Sequence, residues 1–246
     1  MSAFFVEGTH EIGDTVVLEG SDAHKIVSVL RKRDGDEIEI VDSAAQRFIA
    51  TIAIDGRSVA ATLRGRTAAS AASALQITVA QGVPKGQKMD FVVEKLTELG
   101  VHEIVPLQSE RTVVTDVSPN KLERWRRLAK TAAQQCGRNE IPVVGEPQTF
   151  SELCSRFDGY DLVLFPWELS RRAALRERLP ELVHGAQRVL VVIGPEGGFS
   201  HAEADAAQSA GAQLVSLGSR ILRTETAALV VLALINYLTE SADPRV

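Results

Sequence analysis

Two arginines and a carboxylate share one glycine-led loop, Gly218-Ser219-Arg220-Ile221-Leu222-Arg223-Thr224-Glu225. An arginine between Leu222 and Thr224 has no helical or core duty. Arg223 therefore reads as a cation held ready for an anionic group, or for charge that develops during a reaction. Glu225 could take a proton. At the start of a helix, however, a carboxylate is favoured by the helix dipole by roughly 0.3–1 kcal/mol, and that structural duty comes first. A second loop, Gly194-Pro195-Glu196-Gly197-Gly198, offers main-chain N–H and C=O groups where glycine permits close approach. Neither loop contains G-x-G-x-x-G or G-x-x-x-x-G-K-[ST], so the dinucleotide and P-loop readings lack their phosphate cradle.

The elements that must position these loops are legible. Val189 to Ile193 is a continuous aliphatic run, the pattern of a strand buried on both faces of a parallel sheet. Ser200 and Glu203 then form a capping-box pair at the start of a helix. Gln213 to Leu217 reads as a short strand before the arginine loop, and Ala227 to Leu238 as an apolar helix. Upstream, the pattern predicts a strand at Leu75 to Gln81 and a helix at Lys88 to Leu99, with Gly100 just past its end. A strand at Val101 to Leu107 follows, then a helix opened by Ser118-Pro119. Further elements are a short helix near Ser151 to Phe157, a strand at Asp161 to Phe165, and a helix carrying Arg171, Arg172, Arg176 and Arg178. Strands alternating with helices predict a parallel, helix-covered α/β sheet. The first ~65 residues instead show short alternating runs: Thr15 to Leu18, Glu37 to Val41, Phe48 to Ile54 and Val59 to Leu63. With a helical turn or two at Ser21 to Leu30, they predict a small barrel. Arg66 to Ser73 reads as a linker, dividing the chain into residues 1–68 and 74–246.

The chain has 246 residues, 45% of them hydrophobic and 24% charged, with a net charge of −5. That balance is ordinary for a globular protein and argues mildly against a polyanion partner. Local charge says otherwise: between Lys121 and Arg138 six basic residues face a single acid, Glu123. Screening over ~10 Å makes phosphate binding a local matter. Met1 to Gly20 has no apolar signal region, and Ala227 to Ile235 is too short to span a bilayer. Cys136 and Cys154 form no C-x-x-C and no metal set with the five histidines, so the expectation is a reduced cytoplasmic setting without metal.

IGPEGGFS (Ile193 to Ser200) followed by LGSRILRTETAAL (Leu217 to Leu229) resembles the RsmE-type ribosomal RNA uridine-N3 methyltransferases of the SPOUT superfamily. KLTELGV (Lys95 to Val101), QQCGRNEIP (Gln134 to Pro142) and, more diffusely, HKIVSVLRKRDGD extend the resemblance over essentially the whole chain. It implies an α/β trefoil-knot domain, a PUA-like β-barrel ahead of it, and a homodimer. S-adenosyl-L-methionine would be the methyl donor, and small-subunit (16S) ribosomal RNA, naked or assembled, the acceptor. The implied donor contacts are Leu164, Phe165, Pro166, Ile193, Gly194, Glu196, Gly197, Gly198, Leu217, Gly218, Ile221, Leu222, Arg223 and Thr226. Uracil N3 must lose a proton, and a cation would stabilise the imidate charge. Arg223 and Arg138 are the candidates for that cation, with Glu225 a weaker candidate for the base. Expected RNA contacts are Lys25, Arg31, Lys32, Arg33, Lys85, Arg124, Arg127 and Arg138. Two other classes stay open: a nucleotide-binding α/β enzyme, which lacks the acidic ribose ligand ~20 residues past a glycine fingerprint, and an inactive RNA-binding or ribosome-assembly protein.

Overall fold

The computed structural model describes residues 3–67, 75–114, 116–169 and 175–239, without the side chain of Arg176. Part of the expected linker, with Arg171 and Arg172, lies outside the described residues. The chain forms two compact units: Met1–Ala72 with Ala133–Ile141, and Ser73–Ala132 with Pro142–Val246. Residues 133–141, read from sequence as part of the second domain, thus belong with the first.

The first unit is a five-stranded sheet in the order β1-β3-β4-β5-β2. Its strands are β1 (Ala3–Phe5), β2 (Thr15–Leu18), β3 (Glu37–Val41), β4 (Arg47–Asp55) and β5 (Ser58–Arg66). β4 and β5 alternate buried and solvated residues, which places Phe48, Ala50 and Ile52 against Val59, Ala61 and Leu63 on one core face. β1 is too short to give a sequence signal and pairs in parallel with β3. Among the described residues the strand pairing runs as an open path from β1 to β2. Between β2 and β3, helix α1 (Gly20–His24) runs on into one π-helical turn, Lys25–Val29, with Ala23 and Ile26 buried against the sheet.

The second unit is a parallel sheet in the order β12-β10-β11-β6-β7-β8, with β9 also on β7. The strands are β6 (Gln76–Gly82), β7 (Glu103–Gln108), β8 (Val143–Val144), β9 (Gln148–Thr149), β10 (Leu162–Pro166), β11 (Arg188–Ile193) and β12 (Gln213–Val215). Helices α2 (Lys88–Glu98), α3 (Pro119–Cys136), α5 (Leu175–Leu182) and α7 (Thr224–Thr239) contribute to one apolar cluster, with Met89, Leu96, Trp125 and Val231 at its centre. Helices α4 (Phe150–Cys154) and α6 (His201–Ser209) bury Leu153 and Ala204 in a second cluster with Phe165 and Phe199. Two-sided burial is why β11 is apolar at five consecutive positions. Among the described residues no helix is long and apolar enough to cross a membrane, and no cluster of His, Cys, Asp and Glu could hold a metal ion.

Candidate functional site

β12, β10 and β11 are neighbours in one parallel sheet, so the loops leaving their carboxyl ends open side by side. They enclose a cleft of about 760 Å³, within the ~300–1,000 Å³ usual for small-molecule sites. Of the expected donor-binding residues, Pro166, Ile193, Gly194, Glu196, Gly197, Gly198, Leu217, Gly218, Ile221, Leu222 and Arg223 line it. Leu164 and Phe165 do not. Both are fully buried beneath the cleft, on opposite faces of the sheet, with the Phe165 ring 4.4 Å from that of Phe199. Thr226 is exposed on α7, and it is Thr224, two residues earlier, that faces the cleft. Lys88, Trp167, Glu168, Ser216, Ser219 and Arg220 also line it.

The Gly194–Phe199 loop is held from four sides. Gly82, at the end of β6, packs main chain to main chain on Gly194 and Pro195, where any Cβ would collide with the Pro195 nitrogen. Thr224 Oγ1 donates to the Gly194 carbonyl and accepts from Gln81 Nε2 at 2.7 Å, a chain of bonds closed inside the core. Arg111 Nη1 donates to the Gly197 carbonyl at 3.0 Å. Glu196 Oε1 accepts from Lys88 Nζ at 2.9 Å and from the Lys85 N–H at 3.1 Å. Partial burial pushes the Glu196 carboxyl upward, but Lys88 and the main-chain donors outweigh it and hold the pKa below the usual carboxylate value. Beyond the loop, Ser200 and Glu203 make the expected capping box. Glu203 also accepts from the Glu110 N–H at 2.8 Å, tying α6 to the loop after β7.

Sequence reasoning assigned the loop glycines to close approach by a ligand. The structure adds a second reason. A Cβ on Gly197 would stand 3.0 Å from Arg111 Cβ, and one on Gly198 would meet the Glu168 carboxylate. The close approach is between protein segments, and it sets the loop's shape. Arg111 itself was missed. Its only sequence signal is the polar run Ser109-Glu110-Arg111-Thr112 at the end of a buried strand, on the sheet edge where ligands bind.

Arg220 and Arg223 are exposed in the cleft, with no ion-pair partner among the described residues. Glu225 sits in the first turn of α7 as the dipole argument requires, but it does not line the cleft. Its Oε2 is buried without a hydrogen-bond partner among the described residues. Arg138 belongs to the first unit, half-buried, and burial lowers its pKa below the ordinary guanidinium value.

The expected RNA contacts divide into bound and unbound cations. Lys25 Nζ donates to Gln134 Oε1 at 3.0 Å and lies over the Phe4 ring. Arg31, Lys32 and Arg33 have no ion-pair partner among the described residues, and Arg31 stands at φ 54°, a left-handed conformation that side chains other than glycine seldom adopt. Lys85 is exposed. On α3, Arg124 is ion-paired to Asp90, whose other oxygen accepts from Trp125 Nε1, and Arg126 is paired to Glu123 and Glu146. Arg127 is exposed and has no ion-pair partner among the described residues.

Residues 62–236 match the RNA methyltransferase domain family. The chain is 34% identical to a protein of Bacillus subtilis (strain 168) named ribosomal RNA small subunit methyltransferase E, with 98% of each chain covered. A Synechocystis protein of the same name is 36% identical, over 92% of this chain and 74% of its own. Among solved structures, a ribosomal RNA small subunit methyltransferase E from Neisseria gonorrhoeae bound to S-adenosyl methionine superposes with a TM-score of 0.87. It is 30% identical, covering 97% of this chain and 98% of that one.

Proposed function

This chain belongs to the RNA methyltransferase domain family, and on that premise we propose that it transfers a methyl group from S-adenosyl-L-methionine to N3 of a uridine in small-subunit ribosomal RNA. The observation that carries the reading is the one cleft into which both signature loops, 193–199 and 217–224, open beside two arginines with no ion-pair partner among the described residues.

The residues present fit the donor. The cleft is of the right size, and its walls combine apolar side chains (Ile193, Leu217, Leu222) with the main-chain groups of Gly194 to Gly198 and Leu217 to Ser219. When bound, the sulfonium supplies an electrophilic methyl carbon. What the protein supplies is placement, worth up to ~7–11 kcal/mol where reacting atoms are held in line. The clamps from Gly82, Thr224, Arg111 and Lys88 fix one wall of the cleft before any ligand arrives. Arg223 is the cation for the charge that develops on the uracil oxygens as N3 gives up its proton. A preorganised donor of this kind contributes typically ~2.7–4 kcal/mol to a rate. No side chain on the cleft is assigned as the base, and Glu225 keeps its structural role.

The first unit is the RNA-holding module on this reading, the PUA-like part of the resemblance, and the second carries the knotted donor site. The acceptor places the protein in the cytoplasm. The chemistry needs no metal. We also propose a homodimer. α7 buries Ala228, Val231, Leu232 and Ile235 against its own unit but leaves Ala233, Tyr237 and Leu238 exposed and Leu229, Val230 and Leu234 half-covered. An apolar stripe of that extent on a helix next to the site is covered most simply by its own copy across a two-fold axis.

The reading is tested by incubating the protein with methyl-labelled S-adenosyl-L-methionine and small subunits or their RNA. Label in the RNA is the expected result; label in neither would refute it.

A further inference from the structure

Arg47 is the first residue of β4, and its side chain is only 12% exposed. Among the described residues, three of its four side-chain hydrogen bonds go to one segment about ninety residues away in the chain. Nε donates to Asn139 Oδ1 at 2.8 Å, and Nη2 to the carbonyls of Gly137 at 2.6 Å and Arg138 at 3.2 Å. Nη1 donates to Glu39 Oε2 at 2.7 Å, across the β3–β4 ladder. Glu39 lies diagonal to Arg47 in the register, so the carboxylate fixes the plane of the guanidinium on the same sheet face. The segment it grips is a tight turn: Gly137 stands at φ 77°, and Arg138 N–H bonds back to the Ala133 carbonyl. A second contact steadies the same segment, where Gln134 takes a bond from Lys25 Nζ and gives one to Asp22 Oδ1.

We propose that Arg47 is a positioning residue for RNA binding, which braces the Gly137–Asn139 turn so that the Arg138 guanidinium is presented to RNA phosphate from the first unit. The proposal rests on the RNA-methylating reading above. Two carbonyls and one amide oxygen converge on one planar fork. Only arginine offers donors in that fixed spread, whereas a lysine would satisfy one of the three and leave the others to water. Removing Arg47 leaves Arg138 in place chemically but lets its turn wander, and a phosphate contact depends on where the charge is held. Because Arg138 is already half-buried, part of its hydration is lost before RNA arrives. A stable turn is what keeps it in that state.

The test is a double-mutant cycle on binding of a labelled small-subunit RNA fragment, with Arg47→Ala, Arg138→Ala and the pair, plus Arg47→Lys. Each single substitution to Ala is expected to weaken RNA binding about tenfold, as for loss of a charge-assisted contact, with the double variant no weaker than either. Arg47→Lys should not rescue. Calorimetric affinity for S-adenosyl-L-methionine should stay at the wild-type value in all four. Additive losses, rescue by lysine, or an Arg138→Ala variant that binds RNA normally would each overturn the proposal. A wild-type protein that binds RNA but not the donor would instead contradict the methyltransferase reading, since the cycle reads RNA binding alone. If Arg47→Ala unfolds the first unit, Asn139→Ala removes one of the three bonds without touching the sheet. It should reproduce part of the loss, and no loss at all would count against the brace.

Discussion

Arg223 is the residue on which the chemistry is expected to turn, because it is charged, exposed in the cleft and unpaired among the described residues. Replacing it with Ala should lower kcat by roughly 10²–10³-fold while leaving donor affinity near wild type. An equal loss in donor affinity, read by calorimetry, would make it a binding residue instead. Glu196 behaves differently. Its carboxyl is held below the ordinary value, so the stability it contributes is fully present above the unfolded carboxylate pKa of ~4.3 and disappears as pH falls through its lower folded value. Melting temperatures of wild type and Glu196→Gln should therefore differ at pH 6 and converge as pH is taken well below 4. A gap that persists in acid would show that the Lys88 contact is not its source. At this scale the motif spacing predicted that the loops holding Gly194 to Gly198 and Leu217 to Arg223 would meet, and both line one cleft. It could not show that Thr224 rather than Thr226 turns inward, since that depends on where α7 starts.

Among the elements, α3 shows what a local reading of charge leaves out. Six basic residues against one acid looked like a phosphate-binding face, yet Arg124 is paired with Asp90 from α2 and Arg126 with Glu146 from the loop after β8. Those acids come from other elements and are invisible to a count along the helix. Arg127 is therefore the better reporter. Arg127→Glu should weaken RNA binding and flatten its dependence on salt, since each lost phosphate contact removes ~0.9 from the duplex log–log slope. Arg124→Glu should mainly destabilise the α2–α3 contact, because it sets two carboxylates side by side. Equal salt slopes for wild type and Arg127→Glu would remove α3 from the RNA interface. The elements themselves were largely legible. The capping box at Ser200, the glycine after α2 and the buried run in β11 each follow from local chemistry. β1, three residues long, carries no periodicity to detect and exists only because β3 offers it an edge.

At the scale of the whole molecule, the division of the chain was half visible. A featureless stretch after residue 65 marked the break between β-rich and α/β halves. Nothing local, however, says that residues 133–141 belong with the first unit, because the bonds that tie Arg47, Lys25 and Asp22 to that segment span 90 to 112 residues. Assembly is the second matter at this scale. Sedimentation equilibrium at micromolar concentration should give twice the 26.6 kDa chain mass, and Leu234→Arg on the half-covered stripe of α7 should give monomers. A wild-type monomer would mean that the stripe is covered some other way.

Whether the three-loop cleft methylates N3 of a uridine is decided by nucleoside mass spectrometry of small-subunit ribosomal RNA after reaction with methyl-labelled S-adenosyl-L-methionine. The predicted result is label in 3-methyluridine, lost in Arg223→Ala. Label in another methylated nucleoside, or an undiminished yield from Arg223→Ala, would contradict it.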